Sequence, residues 1–232
     1  MSELILIRHG QSLWNAANKF TGWVDVPLSE GGRAEATIAS CKLREHRVQV
    51  CFTSKLMRAI ETAVICLTEC DEICGGRVPI LKHEGDDPDW HGWDQYSGNP
   101  NEELPIFTSA LLDERFYGDL QGLNKAETAL KYGEDRVLEW RRSFTTRLPG
   151  GESLEDTQKR VLPFFKGRIL AHIKRNDNVL VSAHGNSLRA IIMELDNLEP
   201  EQVPGLELDT GVPIVYHMNA AGTVEQKEIL RK

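Results

Sequence analysis

Apolar positions along this chain follow two rhythms. Short uninterrupted runs at residues 4–7, 50–53, 78–81, 178–182 and 214–217 have the length and content of buried strands. Residues 30–45, 55–68, 125–132, 153–174 and 187–195 instead repeat apolar side chains every three to four positions, as helices with one buried face do. Strands alternating with helices predict an α/β fold of three layers, a mainly parallel sheet with helices on both faces. Two stretches break the alternation. Residues 83–105, "HEGDDPDWHGWDQYSGNPNEELP", are expected to leave the sheet as an excursion, and residues 145–152, "TTRLPGGE", to form a short connection ahead of a long helix. Neither has the character of a domain boundary. Residues 1–232 are therefore expected to form a single domain, with length enough for a substantial core.

Charge and cysteine content narrow the function classes. A net charge of −8 argues against nucleic acid and against an anionic membrane surface, but it leaves room for a small anionic ligand in a local pocket. No basic leader with a long apolar run opens the chain, and no apolar run is long enough to span a bilayer. The cysteines, Cys41, Cys51, Cys66, Cys70 and Cys74, are odd in number, which predicts reduced thiols and a cytoplasmic location. Cys66, Cys70 and Cys74 recur every four residues and would share one face of a helix. Their spacing matches no zinc pattern, so they read as buried thiols and no metal is expected. The excursion carries His83, Trp90, His91, Trp93 and Tyr96. It reads as a packed surface flap, with a metal or specificity role as the other reading.

Candidate chemistry begins where two of the strands end. "LILIRHGQS" (4–12) and "NVLVSAHGNSL" (178–188) share one form: apolar strand, His, Gly, one residue, Ser. In a parallel sheet the carboxyl ends of strands border a common crevice, so neighbouring strands would bring His9 and His184 together. The glycine after each histidine is expected to let the backbone approach a ligand, and the helix that follows to offer free N–H groups to an anion. Arg8, Arg58, Arg115, Arg141 and Arg142 fall near strand ends or aromatic-rich stretches. Each alone reads as a solvated surface residue; together they predict a phosphate pocket.

The segments "RHGQSLWN", "FTGW", "DVPLSEGG", "TSKLMRAIET", "ERFYGDLQGLNKAET", "WRRSF" and "AHGNSLRA" resemble the histidine phosphatase superfamily. The branch most similar is that of the cofactor-dependent, 2,3-bisphosphoglycerate-dependent phosphoglycerate mutases, in a form with a short lid. The resemblance covers nearly all the chain outside 83–105 and implies the fold of that branch. It implies His9 as the phosphorylated nucleophile, with Arg8, Arg58 and His184 holding the phosphoryl group and Glu114 as general acid and base. It also implies Ser12, Asn15, Thr21, Gly22, Arg115, Tyr117, Lys125, Arg141, Arg142, Gly185 and Asn186 as the rest of the substrate pocket. The implied reaction interconverts 3-phosphoglycerate and 2-phosphoglycerate, primed by 2,3-bisphosphoglycerate without metal, in a homodimer or homotetramer.

Residue chemistry is consistent with that assignment. Arg and imidazole donors neutralise a phosphoryl group, a neutral imidazole is a good nucleophile, and a general acid needs a raised pKa, expected here for Glu114. Gln11 stands where Glu is common in the branch and Phe116 where His is common. The segment after "WRRSF" is short, so a covering lid would be reduced, and no long tail follows the last strand-like run. A phosphatase that passes the phosphoryl group from His9 to water, acting on a small phosphorylated metabolite, is the alternative. A binding protein that keeps the fold without activity is the third reading.

Overall fold

The computed structural model describes residues 1–83, 98–99 and 101–231. Seven strands build one sheet: β1 (Ser2–Arg8), β2 (Val50–Thr53), β3 (Val78–His83), β4 (Glu103–Thr108), β5 (Val179–Ala183), β6 (Pro213–Met218) and β7 (Val224–Ile229). Their order is β3-β4-β2-β5-β1-β6-β7. The five from β3 to β1 are mutually parallel, whereas β6 runs antiparallel to β1 and β7 antiparallel to β6. The expected mainly parallel sheet is thus present with an antiparallel hairpin on one edge.

The helices are α1 (Leu13–Ala16), α2 (Glu30–Lys42), α3 (Met57–Thr68), α4 (Asp71–Cys74), α5 (Lys125–Tyr132), α6 (Glu134–Arg142), α7 (Leu154–Phe164), α8 (Leu170–Ile173) and α9 (Gly185–Asp196). Alternate residues of β1 explain the layering. Leu4 and Leu6 enter a core shared with Val161, Phe165 and Ile169 and with Ile191 of α9. Ile5 and Ile7 point the other way, into a core with Ala39 of α2 and Ala63 and Cys66 of α3. A strand buried on both faces needs no polar alternation, hence the unbroken "LILI". A smaller cluster of Phe20, Leu120, Val137, Trp140 and Leu148 ties α6 to loops before and after it.

Several expectations are corrected. The excursion is shorter than 83–105: β3 runs to His83 and β4 starts at Glu103, while residues 84–97 and 100 lie outside the described residues. Pro105 disguised β4 in the sequence. It is tolerated because β2 first pairs with β4 at Ile106, beyond the proline. Strand β7 and helix α6 were not anticipated. β7 has exposed or half-exposed residues throughout, so no apolar period marks it. α6 follows α5 across Gly133 at φ +91°, a conformation that ends one helix and admits the next. The expected helix at 153–174 is continuous, but between α7 and α8 it widens into a π turn at Phe165–Ile169, after Pro163, which has no N–H to give the helical ladder. Finally, Cys66, Cys70 and Cys74 do not share a helix face, because α3 stops at Thr68 and Cys70 precedes α4. Cys66 and Cys74 are buried in the core, and burial pushes the Cys66 thiol up to about 12.

Candidate active site

β1 and β5 are hydrogen-bonded neighbours in the middle of the sheet, in a register that pairs Arg8 with Ala183. The next residue on each strand is a histidine. Their rings meet edge to face with centroids 5.0 Å apart. His9 is 3% exposed and His184 fully buried.

Each imidazole has a distinct environment. The Nδ1 of His9 lies 2.7 Å from the Gly10 carbonyl, which can only accept, so Nδ1 carries the ring proton and Nε2 presents its lone pair. Arg58 Nε donates to that Nε2 at 3.3 Å, while its other nitrogens hold the carbonyls of Gly22 (2.7 Å) and Val24 (3.0 Å). Burial first, then Arg58 and Arg8, keep His9 well below its ordinary pKa and therefore neutral. His184 is held down by the same causes, burial before Arg58 and His9. Its Nε2 is 2.7 Å from the Ser54 hydroxyl, and its buried Nδ1 has no partner among the described residues. The Ser54 oxygen already accepts the Leu56 N–H (3.2 Å), leaving the hydroxyl proton for Nε2 and the ring proton for Nδ1.

Glu114 lies on the loop that follows β4. Oε1 accepts from the N–H of Arg115 (2.8 Å), the N–H of Asn186 (3.1 Å) and Nδ2 of Asn186 (2.9 Å); no described residue bonds Oε2. Burial pushes this carboxyl up, but those donors and the charges of Arg58 and Arg8 outweigh it and its pKa lies below the ordinary value. This corrects the expected rise: three donors on one oxygen are a tertiary arrangement that the local sequence does not display. The Glu114 carbonyl is also fixed, by Trp23 Nε1 (2.5 Å) and by Arg160 Nη2 (2.8 Å). Arg160 is in turn held at Nε by Glu152 (3.0 Å).

The two glycines differ from expectation and from each other. A Cβ on Gly10 would lie 2.2 Å from the Gly32 carbonyl oxygen, so this glycine admits helix α2 rather than a ligand. The atoms nearest a Cβ on Gly185 would be Arg189 Nη1 (3.4 Å), Glu114 Oε2 (3.7 Å) and Arg8 Nε (3.8 Å), on the side of the cavity. Nor do the helix starts serve alike. α1 is four residues long and capped by Ser12, which accepts from Asn15 N (3.1 Å), and at α9 the Asn186 N–H goes to Glu114.

A cavity of about 150 Å³ opens on His9, Arg8, Arg58 and Glu114. Asn15, Thr21, Gly22, Tyr117, Gly185 and Asn186 line it, as do the cations Lys125, Arg141 and Arg142. Burial, Arg141 and Arg8 bring Lys125 down to about 8. His184 packs edge-on against the His9 ring and is not among the residues that line the cavity. Ser12 is buried in its cap. Arg115 is fully buried with its guanidinium over the Tyr117 ring (5.0 Å), and the guanidinium nitrogens have no hydrogen-bond partner among the described residues. No residue of 145–152 lines the cavity; this connection packs on residues 116–119, with Glu152 N donating to the Phe116 carbonyl (2.9 Å). Sequence reasoning missed Lys19, Phe20, Glu207 and Arg189 in the lining. Arg189 had a legible signal, since it stands four residues after Gly185 and so shares its face of α9. Glu207 had none.

The model of the histidine phosphatase superfamily (branch 1) matches residues 4–84 and 97–227. A 2,3-bisphosphoglycerate-dependent phosphoglycerate mutase 1 of Gloeobacter violaceus is 71% identical over 99% of this chain and 99% of its own. The 2,3-bisphosphoglycerate-dependent phosphoglycerate mutase of Gloeothece citriformis is 67% identical over 99% of this chain and 100% of its own. Among solved structures, a mycobacterial glucosyl-3-phosphoglycerate phosphatase with VO3 aligns at a TM-score of 0.74 over 99% of this chain and 97% of its own, with 23% identity, a likeness of fold.

Proposed function

The chain belongs to the histidine phosphatase superfamily, and we propose that it interconverts 3-phosphoglycerate and 2-phosphoglycerate through a phosphohistidine at His9, primed by 2,3-bisphosphoglycerate. The observation that carries this reading is one cavity shared by a neutral, buried His9 and by two sets of cations. Arg8 and Arg58 stand beside the nucleophile, while Lys125, Arg141 and Arg142, the last already bonded to Glu207 and to the Pro204 carbonyl, line the part of the cavity where a further anionic group would bind. Its near full-length relatives carry the name of that activity.

Buried polar atoms fit a phosphorylated primer. Arg8 Nε, Thr21 Oγ1 and His184 Nδ1 are buried and have no partner among the described residues, a costly state that phosphate oxygens would relieve. Arg8, Arg58 and His184 would hold the phosphate to be transferred, with Lys125, Arg141 and Arg142 on the rest of the molecule. When bound, 2,3-bisphosphoglycerate supplies the phosphoryl group that charges His9.

His9 Nε2 forms the N–P bond as an ester O–P bond breaks, and the guanidinium groups of Arg8 and Arg58 neutralise charge on the equatorial oxygens. Return transfer goes to a hydroxyl of a phosphoglycerate, whose proton passes to Glu114 Oε2. Transfer at the neighbouring carbon, in the opposite sense, restores that proton to the leaving oxygen. A phosphate ester bound between Arg8 and Arg58 offsets their charge, so it raises the Glu114 pKa towards that of a usable acid for the step in which His9 attacks. In this reading the arginines provide the charge neutralisation, the neutral His184 donates a hydrogen bond, and no divalent metal takes part. It also places the enzyme in the cytoplasm, where five free thiols stay reduced.

One phosphorus NMR experiment tests the reading. Protein treated with a chelator is incubated with 3-phosphoglycerate, with and without catalytic 2,3-bisphosphoglycerate, and compared with His9→Ala. We expect primer-stimulated formation of 2-phosphoglycerate by the wild type and none by His9→Ala. Inorganic phosphate as the main product would refute the isomerase. Recovery only on adding a divalent metal would refute metal independence.

A further inference from the structure

The loop before β6 sends a second carboxylate, besides Glu114, into a cavity rich in cations. Glu207 lines that cavity with its side chain 70% exposed, and its Oε1 accepts from Arg142 Nη2. The backbone around it explains why it stays there. Within residues 204–208 three alternate carbonyls hold three arginines of the site. Pro204 accepts from Arg142 Nη1 (3.0 Å), Leu206 from Arg189 Nε (3.0 Å) and Leu208 from Arg8 Nη1 (2.7 Å). Glu207 therefore rides on a strap fixed at both sides, and Arg142 is gripped by that strap and by the carboxylate together.

We propose that Glu207 is a specificity-determining residue that occupies Arg142 and selects against ligands carrying two phosphates. This deepens the functional reading above and rests on it. A phosphate held by Arg8, Arg58 and His184 leaves Glu207 undisturbed. A second phosphate directed to Arg141 and Arg142 has to share or displace that carboxylate, and its charge of about −2 is repelled by it. A substrate carboxylate in the same place carries one charge and is opposed less. The consequence is selective: the primer is held loosely enough for monophosphorylated substrate to exchange against it. An exposed ion pair is weak, so the effect is a modest factor and is sensitive to salt.

Calorimetric titration of wild type, Glu207→Gln and Glu207→Lys with 2,3-bisphosphoglycerate and with 3-phosphoglycerate decides the point. We expect Kd for the bisphosphate to fall about 3–10-fold in Glu207→Gln and further in Glu207→Lys, with Kd for the monophosphate changing less than about 3-fold. The gain should shrink in 0.5 M salt, and melting temperatures should match the wild type. Unchanged or weaker bisphosphate binding in both folded variants overturns the proposal, because Glu207 would then be supporting Arg142 rather than competing for it. If the wild type fails to isomerise phosphoglycerate, the functional reading falls by itself. The affinity ratio of inorganic pyrophosphate to orthophosphate then decides the role of Glu207, and it must rise in both variants for the proposal to stand.

Discussion

His9 and Lys125 are basic groups of one cavity with both pKa values depressed, and they differ in what the depression achieves. At His9 it keeps the imidazole neutral throughout the physiological range, so that its Nε2 remains a nucleophile. At Lys125, with a pKa of about 8, it puts loss of positive charge within reach of a mildly alkaline solution. Above that pH the neutral amine no longer attracts an anionic ligand. We expect kcat/KM to decline with an apparent pKa near 8 on the alkaline side, since kcat/KM reports the free enzyme. Lys125→Arg should move that limb beyond pH 10, and a profile identical to that of the wild type would assign the limb to another group. The sequence exposed this level unevenly. The paired histidines were legible because strand, His and Gly are adjacent in each copy of the motif. The low pKa of Glu114 was not, because its Oε1 collects donors from Arg115 and from Asn186, 72 residues away.

Elements meet at this site through close backbone approach, and the two glycines after the histidines separate packing from ligand access. Gly10→Ala would drive a methyl group into the backbone of α2, so we expect it to destabilise the protein by about 1–3 kcal/mol or more, read as a lower denaturant midpoint. Gly185→Ala meets only ordinary contacts and should unfold much like the wild type, while its methyl group, beside Arg8 and Glu114, lowers kcat/KM. If both variants lose stability equally, that distinction is wrong. Helix α6 supplies the second test. Removing a guanidinium from a charge-assisted contact typically costs about 1.5–3 kcal/mol. Arg141→Ala/Arg142→Ala should therefore reduce isomerisation far more than the slow release of phosphate from His9. Equal losses in the two rates, measured in the same samples, would make the pair a general phosphate binder. The elements themselves were readable wherever one or both faces are buried, as in β1, β2, β5 and α3. They were hidden where burial leaves no period: β7 lies exposed on an edge, β4 carries Pro105, and α6 adjoins α5 with only Gly133 between them.

At the scale of the whole molecule the chemistry and the stability controls lie at opposite ends of β1. His9 follows its last residue. Near its start Glu3 joins His46 (Nδ1 to Oε2, 3.0 Å) and His217 (Nδ1 to Oε1, 3.6 Å), and His217 reaches Glu228 (3.0 Å). Its hydrogen bond to Glu3 raises the His46 pKa against the opposing effect of burial. A histidine with a raised folded-state pKa adds stability that is complete below its unfolded value of about 6.5 and is lost as pH climbs through the folded value. We expect wild type to exceed His46→Gln in stability by about 0.5–1 kcal/mol at pH 6, and the gap to narrow by pH 8 in urea titrations. A gap that widens with pH would reverse the assignment. The strand order has a further outcome, one that concerns time. β5 lies between β1 and β2, although about 125 residues separate it from β2 in the chain. While the polypeptide is being synthesised, at about 5–20 residues per second, the first strands wait roughly 6–35 s for the strand that joins them. During that interval His9 has no His184 beside it and the sheet has no centre. The growing chain must be kept from pairing wrongly before it can handle a phosphate at all, and no catalysis is open to it until β5 has been made.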